Sequence, residues 1–392
     1  MKPFLPLVLF ALGFSMTTRA QDTTRVLFIG NSYSYFNDMP VMLTDLANSL
    51  GHVVETEQNT PGGASLQGHL NNPTTLSLIQ QGGWDYVVLQ EQSQKASLPE
   101  DQVIADFYPS VAGLVEEIRQ YNACAVPLLY MTWGRENGDA QNCSWWPPVC
   151  TYTGMQELLT DRYLEAADMT ESWCVPVGMV WEDLLGESGI DLYNNDGSHP
   201  SLQGSYLIAS TMTVAMFGSD PGPSAYTGDI DAAEAALIDA AVWNVWQNQP
   251  NAWRQYDLME ANLFHIENTL GFNLQLSTSP YVDSVVVSTG SVVFTMTDGD
   301  VYSLEASGTT TLDLTVYSAC GEPVEMSETL VHSGSTGVSN DETPHIAIFP
   351  NPANDQIIVQ YDFRGPVTVR LSSLRGDVIQ ESLHQETKIQ FD

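Results

Sequence analysis

The stretch RVLFIGNSY, residues 25–33, decides how this 392-residue chain is read. Val26 to Ile29 form an unbroken apolar run closed by Gly30, the pattern of a short strand buried on both faces in a parallel sheet. A serine that follows such a strand on a tight turn lies near a helix N-terminus. Its hydroxyl is exposed there, and its backbone amide is free to donate to an oxyanion. The turn departs from the Gly-x-Ser-x-Gly elbow because Ser34 stands at the second glycine position, which argues against an α/β-hydrolase arrangement.

Working outward, apolar or β-branched runs at 25–29, 52–58, 86–90, 125–131 and 175–180 predict five strands, with segments of helical period between them. Met155, Leu158, Leu159, Tyr163, Ala166 and Ala167 recur at helical spacing, and further helices are expected from Ser201 and over 231–246. This alternation predicts an α/β fold of three layers, α/β/α and flavodoxin-like, with about five parallel strands over residues 21–268. Beyond it, runs such as SVVVSTGSVVFTM and TLDLTVYSA predict a β-rich module over 269–336. A polar linker at 337–344 and a second small all-β module at 345–392 follow.

The composition is globular, with 43% apolar and 15% charged residues, and strongly acidic, with 48 acidic against 12 basic residues and a formal charge of -36. That sign argues against nucleic-acid partners and anionic membrane surfaces. Residues 1–20 read as a signal peptide, and no later run approaches the length of a membrane span. Export permits disulfides. Cys143 and Cys150 bracket an easily closed loop, Cys124 and Cys174 would be neighbours if their strands lie side by side, and Cys320 is left as a buried or free thiol. His52, His69 and His265 have no partners at ligand spacing, so neither metal nor cofactor is expected.

In an open parallel sheet, sites form at the carboxyl ends of the strands. There the chain places Ser32 after the first strand and Asp196-Gly197-Ser198-His199-Pro200 after the fifth. An aspartate three residues before a histidine can orient the imidazole while its other nitrogen faces the serine, completing a Ser-His-Asp triad. Together these residues resemble the SGNH, or GDSL-like, hydrolases. Gly30-Asn31-Ser32 is similar to that family's first block and Asp196-x-x-His199 to its fifth. Gly63 is similar to the second-block glycine, with Gly62 as the alternative.

The resemblance implies that Ser32 is the nucleophile, with His199 and Asp196 completing the triad, and that Ser32 and Gly63 amides hold the oxyanion. The third block departs from Gly-x-Asn-Asp. The chain has Leu89-Gln90-Glu91-Gln92-Ser93-Gln94, so Gln92 is expected to replace the asparagine donor, with Gln90 and Gln94 open. Many relatives remove acetyl groups from sugars, so the resemblance implies a secreted serine esterase acting on an acylated carbohydrate. A noncatalytic glycan-binding protein and a lipase or thioesterase are the alternatives.

Tyr33 and Trp133, at strand ends, are expected to touch substrate, and the loop Gln141–Tyr152 to wall the pocket. The run Phe349-Pro350-Asn351-Pro352-Ala353 and the strands after it resemble the sorting domain of the type IX secretion system. The likeness implies contact with that secretion machinery and release or anchoring at the cell surface. The similarity stops before that domain's usual final strands, so an incomplete domain is expected.

Overall fold

Strand β1 (Thr24–Ile29) occupies the second place in an all-parallel sheet of order β2-β1-β3-β4-β5. The other strands are β2 (Val54–Asn59), β3 (Tyr86–Leu89), β4 (Val126–Tyr130) and β5 (Trp173–Val175). The structure, a computed structural model, describes residues 23–332 except 186–188, 223–224, 249–252, 254–260 and 269. In the tail it describes the backbone of strands 346–349, 357–361, 367–372, 378–384 and 388–391. The expected signal peptide and the 337–344 linker lie outside the described residues.

The helices are α1 (Ser32–Tyr35), α2 (Met39–Ser49), α3 (Leu66–Leu70), α4 (Pro73–Gln81), α5 (Glu100–Gln102), α6 (Tyr108–Tyr121), α7 (Tyr152–Thr170), α8 (Val177–Leu184), α9 (Leu202–Phe217) and α10 (Ala232–Asn248). Helices α2, α8, α9 and α10 pack together, as do α3, α4, α6 and α7, so the sheet lies between two helical layers. Coverage on both faces is why the central strands read as continuous apolar runs: Val26 to Ile29 and every residue of β4 are buried.

The fifth strand differs from expectation. It ends at Val175, where the predicted strand began, and most of the predicted run forms α8. Pro176 cannot continue a ladder, and Val177, Val180, Trp181 and Leu184 recur at helical spacing and are buried. This shift also corrects the cysteine pairing. Register places Cys174 opposite Leu129, five residues beyond Cys124 and therefore about 16 Å along the strand direction. Cys124 instead bonds Cys320, Cys143 bonds Cys150 as expected, and Cys174 is a buried thiol outside both disulfides.

After α10 the chain builds two antiparallel sheets around one core that includes Leu263, Phe272, Leu274, Val285, Val287, Leu312, Leu314 and Val316. Their strands are β6 (Ala261–Glu267), β7 (Gly271–Thr278), β8 (Ser284–Ser288), β9 (Val293–Met296), β10 (Val301–Glu305), β11 (Gly308–Ser318) and β12 (Gly321–His332). β6 pairs with β7, so this module takes in residues ahead of 269. The Cys124–Cys320 bond and a hydrogen bond from Tyr281 Oη to the Ala125 carbonyl fasten it beside the amino end of β4. In the tail, β13 (Ile346–Phe349), β14 (Ile357–Tyr361) and β17 (Lys388–Phe391) form a third antiparallel sheet, while β15 (Val367–Ser372) and β16 (Val378–His384) extend the sheet of β6.

Candidate active site

Ser32 is the first residue of α1, presented by a turn that only glycine permits at position 30. A Cβ on Gly30 would lie 2.7 Å from both Gln90 Oε1 and Ser34 Oγ. The buried Gln90 side chain explains the crowding, since its Oε1 accepts hydrogen bonds from the Asn31 amide (2.9 Å) and Ser34 Oγ (3.0 Å). Asn31 caps α1 by accepting from the Tyr33 amide, and its Nδ2 donates to the Ala64 carbonyl at 2.8 Å. That bond ties the turn to the Pro61–Ala64 loop, where Gly63 has φ +72°, a conformation that favours glycine. From below, buried His69 bonds the Gly30 carbonyl (2.8 Å) and Thr75 Oγ1 (2.7 Å); burial holds its pKa below the usual range.

His199 Nε2 lies 2.8 Å from Ser32 Oγ, and His199 Nδ1 lies 2.5 Å from Asp196 Oδ2. With Nδ1–H donating to the carboxylate, Nε2 is free to accept the serine proton. Asp196 Oδ1 accepts from the backbone amides of Ser198 (3.0 Å) and His199 (2.9 Å). Partial burial raises its pKa, but the bonds from the His199 ring and these amides outweigh it, so the carboxyl sits below its ordinary range. The array therefore places an imidazole between a hydroxyl and a carboxylate, an arrangement able to deliver an alkoxide-like nucleophile to a carbonyl.

The fold locks the histidine loop from several sides. Asn194 N donates to the His199 carbonyl, Glu136 N to that of Gly197, and Ser201 caps α9. Gly197, at φ +64°, makes the bend between the aspartate and the histidine. Asn37 Nδ2 reaches the Pro200 and Ser201 carbonyls and Ser205 Oγ (3.2, 2.9 and 2.9 Å). Asn37 and Asp38 both have left-handed backbone, φ +52° and +53°, strain of the kind retained where surroundings over-determine a site. Sequence reasoning passed over this brace, although two consecutive Asn/Asp residues before Met39-Pro40 are a helix-entry signal.

Two expected contacts are corrected. Tyr33 is 3% exposed and Trp133 0%, so neither presents a face to substrate. Trp133 is sandwiched between Tyr33, 4.5 Å between centroids, and Trp181, 4.0 Å. Both support the histidine loop from behind: Trp133 Nε1 donates to the Ser198 carbonyl at 3.1 Å, and Tyr33 Oη bonds Ser198 Oγ at 2.7 Å. Among the described residues, Tyr35 (38%) and Trp145 (50%) are exposed aromatic side chains, the former three residues after Ser32 and the latter on the loop closed by Cys143–Cys150.

The three glutamines separate by their partners. Gln90 is held under the nucleophile turn, and Gln94 Nε2 donates to Asp139 Oδ2 at 2.7 Å. Gln92 is half-buried, and its side-chain amide hydrogen-bonds its neighbours Ser93 and Gln94. Glu91, between them, points inward: its carboxylate is fully buried and accepts from the Leu66 and Gln92 amides.

Residues 347–392 match the secretion system C-terminal sorting domain. A candidate SGNH hydrolase from Slackia heliotrinireducens is 30% identical, over 50% of this chain and 100% of its own, with a TM-score of 0.42. The crystal structure of a DUF4886 family protein from Bacteroides uniformis superposes over 58% of this chain and 96% of its own, with 22% identity and a TM-score of 0.52. No curated protein matches the chain.

Proposed function

The chain belongs to the SGNH hydrolase family and ends in a secretion-system sorting domain, and from that premise we propose that it is an exported serine esterase acting on O-acyl, chiefly O-acetyl, groups of carbohydrates. One observation carries the reading: the continuous hydrogen-bonded array Ser32 Oγ, His199 Nε2, His199 Nδ1, Asp196 Oδ2. Ser32 attacks the ester carbonyl while His199 takes its proton. The same imidazolium then protonates the leaving alcohol, and water repeats the sequence on the acyl-enzyme. Asp196 holds the imidazole in the required tautomer. Backbone amides of Ser32 and Gly63 and the side chain of Gln92 stabilise the tetrahedral oxyanion.

The carbohydrate alcohol is favoured by accessible Tyr35 and Trp145, since aromatic faces suit the apolar faces of sugar rings. The sorting tail is consistent with action outside the cell or at its surface, where polysaccharides are met.

The test is hydrolysis of p-nitrophenyl acetate and octanoate by the full chain, beside Ser32→Ala and His199→Ala, followed by acetate release from acetylated oligosaccharides. Activity on the acetate ester that both substitutions abolish is the expected outcome. Preference for octanoate points to a lipase or thioesterase. A folded wild type no faster than its variants on any ester, yet retained by a glycan column, transfers the chain to the noncatalytic alternative.

A further inference from the structure

We propose that Glu91 is a positioning residue whose buried carboxylate fixes the two oxyanion-donor segments, the Gly63 loop and Gln92, relative to one another. The inference rests on the esterase reading. Glu91 is 0% exposed, and its carboxylate has no ion-pair partner among the described residues. Its Oε1 accepts from the Gln92 amide at 2.5 Å and from the Leu66 amide at 3.2 Å, while Oε2 lies 3.3 Å from the same Leu66 amide. Leu66 begins α3 three residues after Gly63, and Gln92 is the third-block candidate donor. One carboxylate thus holds both segments in a place where water cannot substitute for it.

An apolar residue or an amide of similar size would fill this position without the cost of a buried charge, so an acid here requires a role beyond packing. Its surroundings bear on its charge: Lys95 and Asp106 face it from the segment after the third block and from the turn ahead of α6, and Tyr163 faces it from α7. Burial raises the Glu91 pKa to about 7, against the pull of the Gln92 and Leu66 amides and of Lys95. A carboxylate accepts these amide hydrogens more strongly than its protonated form does. The donor segments are therefore held best above neutrality and loosen as pH falls through 7.

The experiment compares wild type, Glu91→Gln, Glu91→Ala and Ser32→Ala in the full chain with p-nitrophenyl acetate, counting active sites by the p-nitrophenol burst so that kcat refers to folded enzyme. Glu91→Ala is expected to lower kcat about 30- to 100-fold with KM within about twofold, a loss confined to the transition state. Glu91→Gln keeps one acceptor oxygen and is expected to recover most of that loss. Its acid limb in the kcat profile should be shallower than that of wild type, since the Glu91 carboxyl no longer titrates there. If wild type is active and the Glu91→Gln variant matches it in kcat and in the slope of the acid limb, Glu91 does not position the donors. That outcome overturns the proposal even where Glu91→Ala fails to fold. A wild type as inactive as Ser32→Ala removes the esterase reading itself and is distinguished from the first result by the absence of any burst.

Discussion

Phe36 stacks on the imidazole of His199, with 4.6 Å between ring centroids and 23° between ring planes. The contact comes from the segment that carries the nucleophile, so one short stretch supplies both Ser32 and a face that restrains the base. Such a pair contributes on the order of 1 kcal/mol beyond its buried area. Phe36→Ala should therefore lower kcat roughly 3- to 10-fold by letting the ring turn away from Ser32 Oγ, with KM little changed. Steady-state kinetics on p-nitrophenyl acetate checks this, and a change confined to KM would assign Phe36 to substrate contact instead.

The glutamines should part company on substitution. Gln92→Ala is expected to cost a factor of about 10² to 10³ in kcat, the usual loss on removing an oxyanion donor, with an unchanged melting temperature. Gln90→Ala should instead strand the buried Asn31 amide and Ser34 hydroxyl and cost about 1–3 kcal/mol of stability. Thermal melts and kcat measured on both variants separate the two roles. Loss of activity without loss of stability in Gln90→Ala would reverse them.

Stability should depend on pH through Asp239, which is buried between α9 and α10 and accepts from Ser210 Oγ (2.7 Å) and Tyr206 Oη (3.1 Å). Burial lifts its pKa to about 6, against the opposing pull of those hydroxyls. A carboxyl with a raised folded pKa favours the native state fully below its unfolded pKa, near 4, and loses that contribution as pH rises through 6. Asp239→Asn should thus be more stable than wild type at pH 8, by about 1–3 kcal/mol, with the gap narrowing toward pH 4. Urea titrations of both proteins at pH 4, 6 and 8 measure it. A gap that widens toward pH 4 refutes the assignment.

The bond between Cys124 and Cys320 closes a separation of 196 residues at the amino end of β4, away from the carboxyl ends of the strands where Ser32 and His199 meet. Cys320→Ser should lower stability by up to roughly 5 kcal/mol in the loop-closure limit, read as a fall in the urea midpoint. Esterase kinetics of the protein that remains folded should be unaltered. A drop in kcat would mean that the β module shapes the site from a distance.

Elements whose signals are local were legible in the amino-acid order alone. The unbroken apolar run of β1, the Gly30-Asn31-Ser32 turn and the spacing of Asp196 and His199 each depend on neighbours a few residues away. They specified the parallel fold and the residues that the structure brings within hydrogen-bond distance. What depended on relative height or facing was decided only in three dimensions. Val177 to Val180 is too short an apolar run for its period to separate strand from helix, and it became α8 because Pro176 ends the ladder and Trp181 and Leu184 complete an apolar face. Cys124 met Cys320 because parallel register carries Cys174 too far along its strand, a distance not written in spacing. Tyr33 and Trp133 lie at strand ends, as expected, yet face inward, because in a three-layer fold both sides of a strand-end loop can be covered. Glu91 reads as one more acid in a chain of net charge -36 until packing removes water from it. Only then do two backbone amides from separate loops become its partners.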